Sequence, residues 1–404
     1  MTPGSLALGL STFLVVGAAI TGTPASAAST TYRVVPILPK GYPTQQFGSV
    51  IPRAINSAGV VVGWQIGGAN TSSATSPTGR TVGFVWSGAA TRPSDGLWNA
   101  LNDSSACGGY VIGTTNGSAA TGIQAVVVDC VSDPNGRLLP MSSNAYAQTY
   151  LKIPLATQQG IPEVLALNAS GQFAGQQAIR IPGARPIFCT RAFSVTAPNV
   201  VQDLSALPNG CNSAATAINA SGAIVGWSEL VTGSTSHHAV RWQGTTPVDI
   251  GTFGGAESEA VAITDGGQAV GAAQTSQQTW HVAVWAAGST QPRDLGTLGG
   301  AESRAIAVFG NRILGKSQTA NGAWHAFIYD LDANKVSDVN DLLPANSGWI
   351  LNEAHAMNSK GTIVGVGMLN NATTAFALSP FSVATLNAST PAPILQKPIT
   401  VAPH

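Results

Sequence analysis

Residues 217–226 read AINASGAIVG, and this stretch decides the fold because close copies of it recur along the chain. The clear copies have a short run of small or apolar residues, a turn of the form Asn-x-x-Gly (with Thr264 in place of asparagine in one of them), and a second run that ends in glycine. Glycine takes the positive backbone φ that a tight turn needs, and the asparagine side chain caps its own backbone. The stretch therefore predicts two antiparallel strands joined by a hairpin.

Seven copies of this hairpin are found when two degenerate ones are included. Besides the quoted copy, four clear copies occupy residues 54–63, 166–175, 262–271 and 356–365, and two shortened copies end at Gly113 and Gly315. The six intervals between Gly63 and Gly365 average about 50 residues, which lies in the range of propeller blades.

Two further phrases follow the hairpin in a fixed order. The first is a predicted third strand, as in HAVRW at 238–242, HVAVW at 281–285 and HAFIY at 325–329. The second is a predicted fourth strand that opens with aspartate, as in DIGTFGG at 249–255 and DLGTLGG at 294–300. The sequence therefore predicts an all-β fold, a seven-bladed β-propeller with four-stranded antiparallel blades.

Residue size supports an arrangement in which the first strand of each repeat lies nearest the propeller axis and the third strand further out. The first strand of each repeat is dominated by alanine, which suits the crowded position nearest the axis. The wide side chains of Trp86, Trp242 and Trp285 lie on third strands, where diverging blades leave a gap to fill.

The combination of the DLGTLGG phrase, the AIN-x-x-G-x-VVG hairpin and the HAF-x-W strand resembles the extracellular HAF-repeat family. The resemblance covers nearly all of residues 48–380. It implies a secreted bacterial β-repeat protein and brings no assigned activity with it.

The ends of the chain predict how the ring closes. The seventh copy lacks a clear fourth strand, whereas residues 31–38 form a strand that belongs to no blade. We expect this N-terminal strand to pair with the seventh blade, residues 381–386 being the rival closing strand. The predicted propeller spans residues 28–380, and residues 381–404 form a Pro-rich tail.

The first 27 residues have the features of a secretory signal peptide. An apolar run at residues 6–20 is followed by a segment that ends in Ala-Ser-Ala, which predicts cleavage after Ala27. Residues 1–5 lack the usual basic group, so we hypothesise that translation starts further upstream. An uncleaved membrane anchor is the alternative, although the run is short for a span. The prediction is a secreted or periplasmic protein with no membrane attachment after cleavage.

Composition limits the partners. Charged residues make up 9% of the chain, with 18 Lys and Arg against 18 Asp and Glu. Nucleic acids and anionic lipids are bound by clustered basic charge, so neither partner is expected. The 44% of apolar residues are ample for a folded core.

Four cysteines in an exported chain suggest disulfides. Three pairings exist, and we favour Cys107–Cys130 and Cys189–Cys211, because each closes a short loop between neighbouring strands. A zinc site formed by all four thiolates is the alternative, but it lacks the close paired spacing of such sites. No metal or other cofactor is predicted.

The candidate ligand-binding residues come from the third strands and from one insertion. His238, His281 and His325 share one position in consecutive repeats, with Trp280 and Trp324 just before two of them, and equivalent positions in a propeller lie on a ring. The alternative is that each histidine hydrogen-bonds within its own blade. A longer interval between copies two and three holds Tyr146 and Tyr150, and insertions on a regular scaffold often carry binding surfaces.

The sequence contains no catalytic motif that we can identify. The leading hypothesis is a secreted, non-catalytic binding or scaffold propeller with an extracellular ligand, a glycan or a protein. The alternative is a propeller hydrolase or lyase that acts on polysaccharide or a small secreted substrate at the axial mouth. A surface component without a specific ligand is the third hypothesis.

Overall fold

The computed structural model describes residues 31–38, 47–67, 81–88, 91–94, 96–101, 106–114, 121–129, 163–181, 187–197 and 200–381. These residues fall in one compact unit, Thr31–Phe381. Among the described elements, no helix is long and apolar enough to span a membrane. The predicted signal peptide, Cys130, Tyr146, Tyr150 and the tail from residue 382 lie outside the described residues.

Antiparallel strands make up almost all of the described chain, with one short 3-10 helix at Val339–Leu342. The strands are β1 (Thr31–Ile37), β2 (Phe47–Ile55), β3 (Val61–Gly67), β4 (Thr81–Trp86), β5 (Thr91–Ser94), β6 (Gly96–Leu101), β7 (Ala106–Thr114), β8 (Thr121–Asp129), β9 (Glu163–Leu167), β10 (Phe173–Ile181), β11 (Ile187–Ala197), β12 (Val200–Asp203), β13 (Ser213–Ile218), β14 (Ile224–Glu229), β15 (His237–Gln243), β16 (Thr246–Asp249), β17 (Gly254–Ile263), β18 (Ala269–Thr275), β19 (Trp280–Trp285), β20 (Pro292–Asp294), β21 (Gly299–Phe309), β22 (Arg312–Thr319), β23 (Trp324–Asp330), β24 (Lys335–Asp338), β25 (Trp349–Met357), β26 (Ile363–Leu369) and β27 (Ala372–Phe381).

Six four-stranded antiparallel blades are formed by the described strands. Blade 1 is β2–β5, blade 2 is β9–β12, blade 3 is β13–β16, blade 4 is β17–β20, blade 5 is β21–β24, and blade 6 is β25–β27 with β1 at its outer edge. Neighbouring first strands contact one another in a closed circuit, in which β6 lies between β9 of blade 2 and β2 of blade 1. The first strands therefore line the axis of a β-propeller.

The prediction of seven four-stranded blades is wrong. In the described part of the chain the second repeat forms the three-stranded sheet β6-β7-β8, with no fourth strand. The repeat was also misaligned, because the bulge in β6 between Trp98 and Ala100 lies opposite Gly109 and Gly108. Gly109, and not Gly113, thus takes the place of the repeat glycine. The phrase Ala100-Leu101-Asn102 was present in the sequence, but no fourth-strand phrase follows β8 directly. The prediction that aspartate opens the fourth strand is also wrong, because Asp249 and Asp294 end β16 and β20.

The N-terminal strand completes a blade, as predicted. β1 pairs with β27 along its whole length, from Thr31 opposite Phe381 to Ile37 opposite Ala375. Ile37 is fully buried and packs with residues of blades 1 and 6. The edge of β27 is therefore occupied by β1, and the first and last parts of the propeller share one sheet; all but the first residue of the rival segment lies outside the described residues.

A β-bulge in the innermost strand explains the glycine that ends each hairpin phrase. All six blades have a register shift in the first strand just before the last alanine, as between Ala260 and Ala262 in blade 4. In that blade the bulge brings the carbonyl oxygen of Glu259 against Gly271, where a Cβ would overlap it. The same overlap with a first-strand carbonyl recurs at the equivalent glycine of all six blades, Gly63, Gly175, Gly226, Gly271, Gly315 and Gly365.

The hairpin asparagine has two functions. Its Oδ1 accepts a hydrogen bond from the backbone four residues later, at 2.9 Å from Val60 N to Asn56 and at 3.0 Å from Thr362 N to Asn358. Its Nδ2 donates to the equivalent carbonyl of the next blade, as from Asn168 to Asn219 at 2.9 Å and from Asn358 to Asn56 at 3.0 Å. One side chain thus fixes a turn and joins two blades.

The core lies between the blades. Trp285 is fully buried in a cluster that includes Ala217 and Val225 of blade 3 and Ala260 of blade 4. Trp242 and Trp86 are also buried among residues of two blades. This arrangement confirms that third-strand tryptophans fill the space where blades diverge.

Gly271→Ala should destabilise the propeller by about 3 kcal/mol, because the new Cβ meets a fixed backbone carbonyl. Gly266→Ala is the matched control, since a Cβ there meets nothing closer than the Thr264 hydroxyl at 3.8 Å. The control should stay within about 0.5 kcal/mol of the wild type in urea unfolding. Equal stabilities for the two variants would contradict the role of the bulge.

Deletion of residues 28–38 should abolish cooperative thermal unfolding, because it removes β1 and exposes the edge of β27. The milder Ile37→Ala should cost about 2–5 kcal/mol, as expected for a buried side chain. Arg33→Ala, on the exposed side of the same strand, should change stability by about 0.5 kcal/mol or less. A melting curve like that of the wild type after the deletion would refute closure by β1.

Candidate functional site

Charged side chains collect around the axis of a chain that has few of them. The position before the Ala-x-Ala phrase of the first strand is charged in blades 2, 4, 5 and 6, and two more cations and a histidine lie beside it. These seven residues form the axial cluster: Arg53, Glu163, Glu259, Arg304, Lys316, Glu353 and His355. The sequence analysis missed them, although the charged residue at a fixed place in an otherwise small-residue phrase was a readable signal.

Blades 4 and 5 are joined by an ion pair of the axial cluster. Arg304 Nη1 lies 3.2 Å from Glu259 Oε1, and both side chains are about 30% exposed, at 31% and 29%. The Arg304 guanidinium also stacks over the ring of Trp280, with 4.0 Å from Cζ to the ring centroid. Trp280, a predicted ligand-binding residue, thus has one face covered by this cation and is itself buried.

Blades 5 and 6 are joined in the same way by Lys316 and Glu353. Lys316 Nζ lies 2.7 Å from Glu353 Oε1 and 5.2 Å from the ring centroid of Trp324. His355 Nε2 lies 3.0 Å from the other Glu353 oxygen. The hydrogen bond from His355, followed by that from Lys316, outweighs burial and lowers the pKa of Glu353 to about 2.

Blade 1 contributes Arg53, whose Cζ lies 5.1 Å from the ring centroid of Trp64. The Arg53 side chain is exposed to solvent, yet burial by surrounding protein lowers its pKa, and the charge of Glu163 in blade 2 opposes this shift. An exposed side chain with protein on several sides fits a position in a solvent-filled axial channel. The axial cluster therefore places both cations and anions around that channel.

The predicted histidines lie away from this cluster, in pairs within their own blades. His238 Nδ1 is 2.8 Å from Asp249, His281 Nδ1 is 2.8 Å from Asp294, and His325 pairs with Asp338 at 2.5 Å. Each aspartate also accepts a backbone N–H two residues on, as from Gly251 to Asp249 at 2.8 Å. Each histidine is thus paired within its own blade, and the structure does not bring the three together at one site. Ligand binding by them stays a prediction.

Blade 2 has an arginine where the three later blades have histidine. Arg191 starts the RAFSV strand, and its pKa is lowered by burial and raised by the charge of Asp203, the fourth-strand aspartate. The charge of Asp203 thus acts on Arg191, whereas the hydrogen bond to Asp203 comes from Gln177 Nε2 at 2.7 Å. In the described part of the chain, no group of three or more His, Cys, Asp and Glu residues could hold a metal ion.

The Cys189–Cys211 disulfide is present and links β11 of blade 2 to the segment before β13 of blade 3. The loop around Cys211 is held by the buried carboxylate of Glu229, which accepts from Cys211 N at 2.8 Å and from Gly233 N at 2.7 Å. Burial raises the pKa of Glu229, but these backbone donors outweigh it and the net shift is downward. The predicted Cys107–Cys130 pair includes a residue outside the described ones and stays a prediction.

A cavity of about 300 Å³ opens at the hairpin end of the axis. Its lining is mostly apolar and comes from four blades, with Ile55, Leu167, Phe309 and Met357 as the large members. Ser57, Ser359 and Asn358 supply its polar atoms. The axis thus has an apolar mouth at the hairpin turns and a charged stretch further along the innermost strands.

No protein-family model matches the sequence, and no curated protein matches it. Several solved structures do: TolB from Acinetobacter baumannii has a TM-score of 0.37 and 12% identity, covering 64% of this chain and 59% of that chain. A Mycobacterium tuberculosis puromycin-hydrolyzing peptidase has a TM-score of 0.41 and 14% identity, covering 80% and 50%. A Trypanosoma rangeli sialidase has a TM-score of 0.37 and 11% identity, covering 86% and 57%.

These structures are what the chain is similar to, while the β-propeller fold itself is given by the six four-stranded blades and the closed circuit of their first strands. The chain matches between half and three fifths of the length of these three proteins. Similarity at this level shows the fold alone, since enzymes and other propellers share it.

The stability contributed by Glu353 should disappear in acid. Its folded pKa of about 2 is below its usual value of 4.5, so between these values the unfolded chain binds a proton that the native state does not. The free-energy gap between wild type and Glu353→Gln, about 1–3 kcal/mol near neutral pH, should therefore close as the pH falls from 4.5 towards 2. Urea unfolding across this range measures it.

Glu302→Gln is the control for this experiment, because the Glu302 carboxylate makes none of the bonds of the axial cluster. Its stability difference from the wild type should be small at every pH. A gap for Glu353→Gln that is independent of pH would contradict the ionised, cation-paired state of this carboxylate.

Proposed function

We propose that this chain is an exported, HAF-repeat-type propeller that binds an extracellular polymer, with a glycan favoured over a protein, and does not transform it. The observation that carries the proposal is the axial cluster itself. A chain with only 9% charged residues places seven charged or titratable side chains around one channel, next to tryptophan rings. Such a concentration of polar groups at a concave place is typical of recognition sites.

The chemistry of the cluster favours binding over catalysis. A general acid needs a carboxyl group whose pKa lies near the working pH. The cations and donors around Glu353 move its pKa in the opposite direction, to about 2. Glu259 is likewise bound to Arg304. Carboxylates fixed by a neighbouring cation act as hydrogen-bond acceptors, which suits the hydroxyl groups of a sugar.

Trp324 and Trp64 supply the apolar part of the proposed site. Both are half-buried, and each has a cation about 5 Å from its ring centroid, at 5.2 and 5.1 Å. An amphipathic indole with polar neighbours can contact a sugar ring face while the charges bind its hydroxyls. Export is supported by the Cys189–Cys211 disulfide, because such bonds persist in oxidising compartments.

Trp324→Ala should weaken glycan binding by about tenfold or more, as loss of a central aromatic contact does. The measurement is a glycan array with the mature protein, followed by titration of the best glycan and a chromatographic assay of its integrity. Phe188→Ala is the control, since Phe188 is 61% exposed on the third strand of blade 2, away from the first strands. Unchanged binding by Trp324→Ala, or breakdown of the glycan, would contradict the proposal, and breakdown would favour the enzyme hypothesis.

A further inference from the structure

His355 occupies the place where the propeller closes. It lies on β25, the innermost strand of blade 6, and is 7% exposed. Its Nδ1 is 2.7 Å from the carbonyl oxygen of Pro52, on the innermost strand of blade 1. Its Nε2 is 3.0 Å from Glu353 Oε2. The ring therefore bridges the last blade and the first.

Both partners of His355 can only accept hydrogen bonds. The Pro52 carbonyl has no hydrogen to give, and the Glu353 carboxyl group, with a pKa of about 2, is ionised except in strong acid. A neutral imidazole has hydrogen on only one ring nitrogen. The lone pair of its second nitrogen would then face an oxygen that can only accept, which is unfavourable. Both contacts exist together only when the two ring nitrogens each carry a hydrogen, so the closed geometry requires the imidazolium ion.

Blade 3 makes the equivalent contact to its neighbouring blade with a side chain that does not titrate. Thr216 occupies the bulge position that His355 occupies in blade 6, between the two alanines of the phrase. Its Oγ1 donates at 2.6 Å to the carbonyl of Ala260 in blade 4, the counterpart of Pro52. A neutral hydroxyl is therefore sufficient to join two blades here, and in the described blades histidine is found at this position only at the closure.

We propose that His355 is a pH-sensitive latch that holds blade 6 to blade 1 while it is protonated and loosens the closure when it loses its proton. The native contacts need this proton and the unfolded chain does not, so the latch stabilises the ring in mild acid. That stabilisation is lost as the pH rises and the imidazolium ion gives up its proton.

The charged groups near His355 act on its positive charge in opposite directions. Glu353 on the same strand stabilises the imidazolium, and Lys316 of β22 binds the other oxygen of Glu353. Arg53 follows Pro52 on β2 and opposes the positive charge, while Glu163 of β9 acts on Arg53. Among the remaining neighbours, Arg304 is paired with Glu259, His325 with Asp338, and Asp341 of the 3-10 helix is exposed.

Loss of the latch should loosen the closure and leave the ring intact. The hydrogen bond from Asn358 Nδ2 to the Asn56 carbonyl, at 3.0 Å, also joins blades 6 and 1 and has no proton to lose. The pairing of β1 with β27 is likewise independent of His355. The change is therefore expected in local opening of β2 and β25, with little change in overall secondary structure.

Hydrogen–deuterium exchange of the mature protein tests the latch. Protection factors, corrected for intrinsic exchange rates, should fall about tenfold in β2 and β25 between about pH 5.5 and 8, the size expected for one charge-assisted hydrogen bond. His355→Thr copies the neutral donor of blade 3, so its protection at the closure should not change over this interval. His237→Gln is the control histidine, because His237 lies on blade 3 and contacts the Thr235 carbonyl.

Nitrogen-15 NMR of the wild-type histidine rings provides a second test that needs no variant to fold. At about pH 5.5 the slowly exchanging ring of the buried His355 should show hydrogen on both nitrogens, with coupling from Nδ1 to the Pro52 carbonyl. A single protonated nitrogen at that pH would overturn the proposal. So would equal pH dependence of closure protection in the wild type and in His355→Thr.

Discussion

The structure depends on a contact between a bulged backbone and a glycine. In each blade a first-strand carbonyl oxygen lies where the Cβ of the repeat glycine would be, so this position accepts no other residue without moving the main chain. The bulge lets the innermost strand bend at the crowded axis, and bulges re-aim side chains. At the bulge position of blades 3 and 6, Thr216 and His355 accordingly reach the next blade. Local backbone geometry thus sets the places from which blades can be joined.

Hydrogen bonds join neighbouring blades near the axis, while the space behind them is filled by apolar side chains. Hairpin asparagines and bulge residues make the hydrogen bonds near the axis, and tryptophans such as Trp285 fill the wider gaps further out. The closure uses both kinds of joint and adds a shared sheet, because β1 pairs with β27. The proposed pH-sensitive contact, from His355 to the Pro52 carbonyl, lies at this closure. Loosening it would separate blades 6 and 1 locally without requiring any blade to unfold.

The axial cluster shows why repeated sequence positions and sites of chemistry can differ. His238, His281 and His325 repeat most visibly, yet each is bound to an aspartate of its own blade. The residues that do meet across blades, such as Arg304 with Glu259 and Lys316 with Glu353, occupy first and second strands and change identity from copy to copy. The repeated histidines make the same contact in each of their blades. The contacts at the axis, in contrast, are made by residues whose identity differs from blade to blade.

The sequence by itself determined the hairpin, the strand order within a blade and the closing strand, because these follow from local turn chemistry, residue size and the order of phrases. It did not determine that the second repeat has three described strands, since its phrases were degenerate. The sequence also left Glu353 and His355 as ordinary residues. Only the tertiary structure decided their roles, because it brings Lys316 of the preceding blade and the Pro52 carbonyl of the first within bonding distance.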